Sequence, residues 1–434
     1  MPDESAAESA SVHAPRSAEP HPGEQATIWT LWLVYGAFYF CRQNLSVAVP
    51  GMERSPAEGG LGLTGSEVGT ILAALKLTYG VGQLFNGQIA EHISPRKLLA
   101  VGMFGSALLN VLFGFSTGFY FLLFIWASNG YCQSLGWTPC VRVVGNWVQP
   151  HRRGRAIGII GTGYQVTLGL TFFVAGQAAE YLGWRGALFV PAAILAAAGV
   201  VMLICLQDEP RRESHAASSP SFAQGASAKQ SALKVLLLTV SNPALWLLGS
   251  ALGLLNACRY GFVDWGISHL TQVQQIGIDK AALNYVVLAL GAVAGSYLTG
   301  WATDRYLGGR RAPVIVALLL LLAVLTLVYE QVARVSPLGT VGLLVLIGFC
   351  IYGPQVLLVG TAPADLARRG TPAAAAGFVN FLGYMGAALG DKVTGYYKME
   401  EHGGWQIAIY IWAAWALAAA GAMALLWNAA PRSE

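Results

Sequence analysis

Residues 35–50 read YGAFYFCRQNLSVAVP and place Arg42 inside an apolar segment that begins near Ile28. About 20 residues of helix, at about 1.5 Å rise per residue, span a bilayer. A guanidinium group keeps its charge there, at a cost of roughly 2.5–3.5 kcal/mol. Tyr35, Tyr39 and Arg42 have the spacing i, i+4 and i+7, so they share one helical face. We expect this face to line protein or a water-filled cavity.

The composition is that of a polytopic, all-α membrane protein. Of 434 residues, 55% are hydrophobic and 11% are charged, whereas soluble domains carry about 25% charged residues. Residues 1–27 are polar and lack the apolar core of a signal peptide, so we expect a disordered cytoplasmic tail. The cysteines and histidines form no metal motif, and neither nucleotide-binding nor nucleophile–base spacing occurs. No cofactor, metal site, nucleic-acid partner or enzymatic activity is predicted.

Twelve apolar segments are long enough to cross a membrane. We refer to them as spans 1–12, at residues 28–50, 66–90, 98–117, 119–148, 155–182, 186–207, 242–270, 281–303, 312–333, 338–362, 372–398 and 405–428. A polar, Ser- and Ala-rich linker at 208–241 separates two predicted six-helix bundles, 28–207 and 242–428, and a short tail follows at 429–434.

Lysine and arginine are distributed unevenly between the loops. The loops after even-numbered spans contain 14 of them, and those after odd-numbered spans contain 5. Positively charged loops remain in the cytoplasm. We therefore expect a multi-pass protein of the plasma (inner) membrane with the linker and both termini cytoplasmic.

The two halves repeat each other. Cys41-Arg42 in span 1 matches Cys258-Arg259 in span 7, and four further matches occur at similar offsets in equivalent spans. Such internal repetition is typical of transporters. Planar guanidinium groups bind oxyanions through two parallel hydrogen bonds and never deprotonate. Arg42 and Arg259 are therefore predicted to hold an anion between the halves. The alternative is that each is a buried ion pair, although Asp264 lies about 140° around the helix from Arg259.

Other charged residues within the spans have two possible roles. Lys76 is seven residues before Gln83, on the same face of span 2, and is expected either to line an outer vestibule or to reach a lipid interface. In span 11, Asp391 and Lys392 are adjacent, so at most one faces the cavity. Asp391 is predicted to carry a proton, bind a substrate cation or form an interior charge pair.

Neutral polar and aromatic residues complete the candidate site. Tyr and Trp also gather at membrane interfaces, so an interfacial position is the alternative for these residues. The candidates for substrate contact are Tyr35, Tyr39, Tyr79, Gln83, Gln133, Trp137, Tyr164, Tyr352, Asn380 and Tyr384.

Several motifs resemble the major facilitator superfamily and, within it, the organophosphate:phosphate antiporters. They are FYFCRQNLSVAVP (38–50), SLGWTPCVRVVGNW (134–147), RYGFVDW (259–265) and CIYGPQVLLVG (350–360). The resemblance implies a major facilitator fold of twelve transmembrane helices in two six-helix bundles. It also implies antiport of a phosphorylated metabolite against inorganic phosphate by alternating access, with phosphate held by Arg42 and Arg259. We expect a monomer.

Two positions depart from the family pattern. Gln83 stands where the family usually has a binding lysine, and Tyr164 stands where many members have a histidine. These changes favour a phosphate ester or phosphonate that is less charged than a typical sugar phosphate. Two alternatives remain: a transporter-like sensor of a phosphorylated metabolite, and a proton-coupled anion symporter or exporter that uses Asp391.

Overall fold

The computed structural model describes residues 21–210, 232–306, 310–367 and 371–428, and within these residues the secondary structure is entirely helical. The helices are α1 (Glu24–Phe38), α2 (Leu45–Glu53), α3 (Gly65–His92), α4 (Pro95–Phe115), α5 (Phe119–Ser134), α6 (Trp137–Trp147), α7 (Pro150–Leu182), α8 (Gly186–Cys205), α9 (Ala232–Val240), α10 (Pro243–Tyr260), α11 (Gly266–Val273), α12 (Ile278–Tyr306), α13 (Ala312–Val335), α14 (Pro337–Val356), α15 (Ala362–Leu366), α16 (Pro372–Tyr397) and α17 (Gly404–Ala424).

These helices account for the twelve predicted spans. Eight helical segments among the described residues are long and apolar enough to cross a membrane. Span 11 is the 26-residue α16, which contains two charged residues. Spans 1, 4 and 7 are each divided into two helices, α1–α2, α5–α6 and α10–α11. Irregular backbone at membrane depth is tolerated where it is buried in protein or lines a cavity. The breaks in spans 1 and 7 therefore indicate a candidate binding region.

The ends of the halves differ from the sequence-based boundaries. α1 begins at Glu24, inside the predicted tail 1–27, because Gly23 adopts φ +89° ahead of the first turn and Glu24 pairs with Arg152 at 3.1 Å. The predicted linker 208–241 contains helix α9, and Asp208 accepts a 2.8 Å hydrogen bond from the backbone N–H of Arg96. Residues 1–20, 211–231 and 429–434 lie outside the described part of the chain.

The two halves meet along α3–α16 and α7–α12, where small residues allow close approach. A Cβ on Gly69 of α3 would lie 2.6 Å from the Asp391 carbonyl oxygen of α16. A Cβ on Gly176 of α7 would lie 2.7 Å from the Cβ of Ala282 in α12. Both contacts are on the side of the loops that follow odd-numbered spans. We call this the closed side.

Candidate functional site

Arg42 lies within the break in span 1, between α1 and α2, and is enclosed by tyrosines from both halves. The side chain is 5% exposed, and Cζ lies 4.0 Å from the ring centroid of Tyr79, 5.2 Å from that of Tyr39 and 5.5 Å from that of Tyr384. Cation–π attraction at such distances partly replaces lost hydration. Nη2 also donates a 2.8 Å hydrogen bond to the Tyr384 hydroxyl. The arginine of the first half thus contacts α16 of the second half.

Arg259 occupies the corresponding position in span 7, at the end of α10. It is 3% exposed, and its Cζ lies 4.6 Å from the Tyr260 ring centroid and 4.9 Å from that of Tyr352. Nη2 donates a 3.2 Å hydrogen bond to the Tyr352 hydroxyl, whereas Nε is buried without a hydrogen-bond partner. A π-helical turn, Gly261–Trp265, follows directly; such turns are frequent at functional sites.

Neither arginine forms an ion pair with a carboxylate among the described residues. The alternative of a structural pair between Arg259 and Asp264 is wrong, because Asp264 pairs with Lys76. Removing a guanidinium group from water without an opposite charge is costly. Two such groups, lined by neutral rings and hydroxyls, form a site that an oxyanion would neutralise.

A cluster of aromatic rings in the first half borders Arg42. The rings of Tyr39 and Tyr164 lie 5.1 Å apart with an interplanar angle of 27°. Tyr35 packs against Trp137 at 4.8 Å and against Tyr164 at 6.3 Å. Tyr164 therefore contributes an aromatic wall beside Tyr39. Tyr39 lies beside Arg42, Tyr35 and Tyr164 pack against Tyr39, and Trp137 joins this cluster through Tyr35.

Lys76 lies in neither of the two environments expected for it. The side chain is buried and forms ion pairs with Asp264 and Asp391 of the other half. Its Nζ lies 4.4 Å from the ring centroid of Tyr260. A capping box of Thr64 and Glu67 starts the α3 helix on which Lys76 sits. We refer to Lys76, Asp264 and Asp391 as the ion triad.

The remaining predicted residues have more peripheral positions. Lys392 is exposed, so only Asp391 of the adjacent pair faces the interior. Asn380 is half-buried on α16, one turn before Tyr384. Gln83 is half-buried and donates a 3.1 Å hydrogen bond to the Ser134 carbonyl within its own half.

Gln133 supports the backbone beside Arg42. Its Nε2 donates to the Phe38 carbonyl at 3.0 Å, one of the acceptors near the break in span 1. Asn129 Nδ2 donates to the Cys41 carbonyl in the same way, at 2.9 Å. Free carbonyls inside a membrane protein need such partners. These amides therefore hold the broken segment that presents Arg42.

Sequence reasoning did not single out Tyr260. This buried tyrosine contacts Arg259 and Lys76 through its ring. Its position directly after Arg259 in the repeated segment was the available signal. Tyr260 links Arg259 to the ion triad.

The fold, the duplicated halves and the buried central site together define a membrane transporter, and the chain belongs to the Major Facilitator Superfamily, whose model matches residues 31–390. Its similarity to organophosphate transporters confirms the resemblance seen in the sequence. It is 29% identical over 426 residues to the glycerol-3-phosphate transporter of Bacillus subtilis, covering 93% of this chain and 92% of that protein. Proteins of this family are transporters and not enzymes.

The chain is also similar to a membrane sensor protein and, in fold, to a transporter of known structure. The chain is 30% identical over 377 residues to the membrane sensor protein UhpC of Salmonella typhimurium, covering 83% of this chain and 82% of that protein. The fold matches the crystal structure of a bacterial homolog of the human lysosomal transporter Spinster, inward-facing and unoccupied, with a TM-score of 0.74 at 15% identity over 94% of this chain and 96% of that one. The fold class predicted from the sequence is confirmed.

Proposed function

We propose that this protein transports a small phosphorylated organic anion, a phosphate ester or phosphonate, by alternating access in exchange for inorganic phosphate. One observation carries the proposal: the equivalent spans 1 and 7 each supply a buried arginine, and neither has a carboxylate partner among the described residues. An oxyanion that accepts hydrogen bonds from both guanidinium groups would draw the halves together. The similarity to glycerol-3-phosphate and hexose phosphate transport proteins supports a phosphorylated cargo.

The positions of the inter-half contacts support alternating access. With the positively charged loops in the cytoplasm, the closed side faces outward. Lys398 pairs with Glu53 on the closed side, and the ion triad lies deeper on the same side. The conformational change that opens the closed side must break these contacts. Only a conformation-dependent interaction of the substrate can shift that equilibrium.

Exchange follows from the charge of the empty site. Two desolvated guanidinium groups repel each other when the site closes without an anion, and this repulsion raises the barrier to the return of the empty protein. A bound anion offsets it. The halves should therefore rock readily when loaded with substrate or phosphate and slowly when empty.

Exchange of labelled phosphate in proteoliposomes tests the proposal. We expect uptake that needs phosphate or a phosphate ester on the opposite side, and a loss of at least about tenfold in Arg42→Lys and Arg259→Lys, because lysine keeps the charge but lacks the planar fork. Arg305→Lys, at an exposed position on α12, is the matched control. Wild-type exchange in both site variants would refute the arginine clamp.

A sensor of a phosphorylated metabolite is a second candidate, favoured by the similarity to UhpC. A sensor would keep the anion site but show little flux. Calorimetric binding of phosphate esters, together with no measurable exchange in the same preparation, would favour the sensor. Counter-phosphate-dependent flux would favour the transporter.

A further inference from the structure

The buried charges at the centre of the molecule do not balance. Among the described residues, five buried charged side chains surround the boundary between the halves: Arg42, Arg259, Lys76, Asp264 and Asp391. Three are cationic and two are anionic, so the group carries one formal positive charge. We call these five residues the central charge group.

The other buried charges among the described residues are each matched by an opposite charge. Their pairs are Glu24 with Arg152, Glu330 with Arg334, and Lys398 with Glu53. The imbalance is therefore confined to the central charge group. Such an excess of buried charge is costly unless a ligand of opposite charge binds.

The ion triad and the arginines belong to one electrostatic unit. The Tyr260 ring lies 4.6 Å from Arg259 Cζ and 4.4 Å from Lys76 Nζ. On α3, Tyr79 is three residues after Lys76 and therefore on the same face, and its ring lies 4.0 Å from Arg42 Cζ. The two carboxylates of the triad thus offset part of the positive charge that an anion at the arginines experiences.

We infer that the transported anion carries a single negative charge, and that Asp264 and Asp391 act as specificity-determining residues by setting that charge. The inference rests on the proposed function. A monoanion brings the central charge group to neutrality, whereas a dianion leaves one buried negative charge in excess. The substrate class is then a phosphate diester, a phosphonate monoester or a singly protonated phosphate ester, with monovalent phosphate as the exchange partner.

Two ligands of nearly the same shape separate the effect of ligand charge on affinity from the effect of ligand shape. Methyl sulfate and methyl phosphate have the same arrangement of heavy atoms, but at pH 8 the sulfate carries one charge and the phosphate carries two, because its second pKa is about 6. Calorimetric titration of the purified full-length protein at pH 8 compares them. We expect wild type to bind methyl sulfate at least about tenfold more tightly than methyl phosphate.

Charge variants then test the assignment to the triad. Asp391→Asn and Asp264→Asn each raise the group's charge by one, and we expect both to reverse the preference toward methyl phosphate. Lys76→Met combined with Asp391→Asn restores the original charge and should restore the original preference. Glu180→Gln removes an acid at an exposed position on α7 and should leave the ratio of the two affinities unchanged.

The outcomes separate this inference from the proposed function. Equal or tighter binding of methyl phosphate by wild type overturns the inference and leaves anion transport standing. An unchanged ratio in a folded Asp→Asn variant, checked by size-exclusion chromatography, also overturns it. Binding of neither ligand, with no phosphate exchange in proteoliposomes, overturns both. If neither variant folds, the wild-type ratio alone decides.

Discussion

Arg42 of the first half donates a 2.8 Å hydrogen bond from Nη2 to the hydroxyl of Tyr384 in the second half. This bond joins the break in span 1 to the middle of α16. It must break when the two halves separate. A hydrogen bond to a charged group contributes about 1.5–3 kcal/mol. It therefore stabilises the conformation in which the halves meet on the closed side.

Tyr384→Phe should weaken that conformation. We expect the population of the alternative state to rise by about tenfold, because the phenylalanine ring retains the packing and only the hydroxyl is lost. Distances between spin labels placed on the closed-side loops of the two halves measure the shift. Tyr396→Phe, the same change at an exposed position of α16, should give the wild-type distance distribution; an equal distribution in Tyr384→Phe would contradict the assigned role.

Lys76→Met should destabilise the protein strongly. The substitution leaves Asp264 and Asp391 buried without their cation, a situation that typically costs about 3–5 kcal/mol. Thermal unfolding in detergent should show a clear fall in Tm. Lys392→Met, at the exposed neighbour of Asp391, should change Tm little. Addition of Asp264→Asn and Asp391→Asn to Lys76→Met should recover much of the loss, and a triple variant no more stable than the single one would argue against the triad.

The pair formed by Lys398 and Glu53 should hold the closed side together. Lys398 also lies 4.7 Å from the ring centroid of Trp265 and 5.2 Å from that of Trp405, so the pair is partly shielded from water. Neutralising either member should open the closed side, seen as faster labelling of a cysteine introduced there. Exchanging the charges, Glu53→Lys with Lys398→Glu, should slow labelling again. Equal labelling rates in the single and exchanged variants would show that the pair is only a surface contact.

Gln83→Lys should tighten the binding of dianionic phosphate esters. It adds a positive charge where the family usually carries a lysine, at the loss of one hydrogen bond to the Ser134 carbonyl. We expect methyl phosphate to bind about tenfold more tightly in calorimetry. Gln406→Lys, at an exposed position on α17, controls for net charge. Unchanged affinity in Gln83→Lys would mean that position 83 does not face the site.

The architecture could be predicted from the sequence because its signals are local or repeated. Each span is a continuous apolar segment, and the duplication pairs Arg42 with Arg259 without any knowledge of contacts. Charge bias in the loops adds an expected orientation. The start of α1 at Glu24 was missed because its polar first turn depends on Gly23 and on a distant partner, Arg152.

The ion triad could not be predicted, because its members come from opposite halves. Lys76 and Asp264 are 188 residues apart, and no helical periodicity relates them. The same holds for Gln133: its role follows from the break in span 1, which leaves the Phe38 carbonyl in need of a donor. Sequence spacing indicates which residues share a helical face. Which residues of other helices contact that face depends on how the twelve spans pack.

Equilibrium binding of labelled inorganic phosphate to the purified protein shows whether Arg42 and Arg259 hold an anion between them. It compares wild type with Arg42→Lys, Arg259→Lys and the exposed control Arg305→Lys, independently of transport. We expect saturable binding to wild type and to the control, and a loss of at least about tenfold in each site variant. Wild-type affinity in either Arg42→Lys or Arg259→Lys would contradict an anion held between the two arginines.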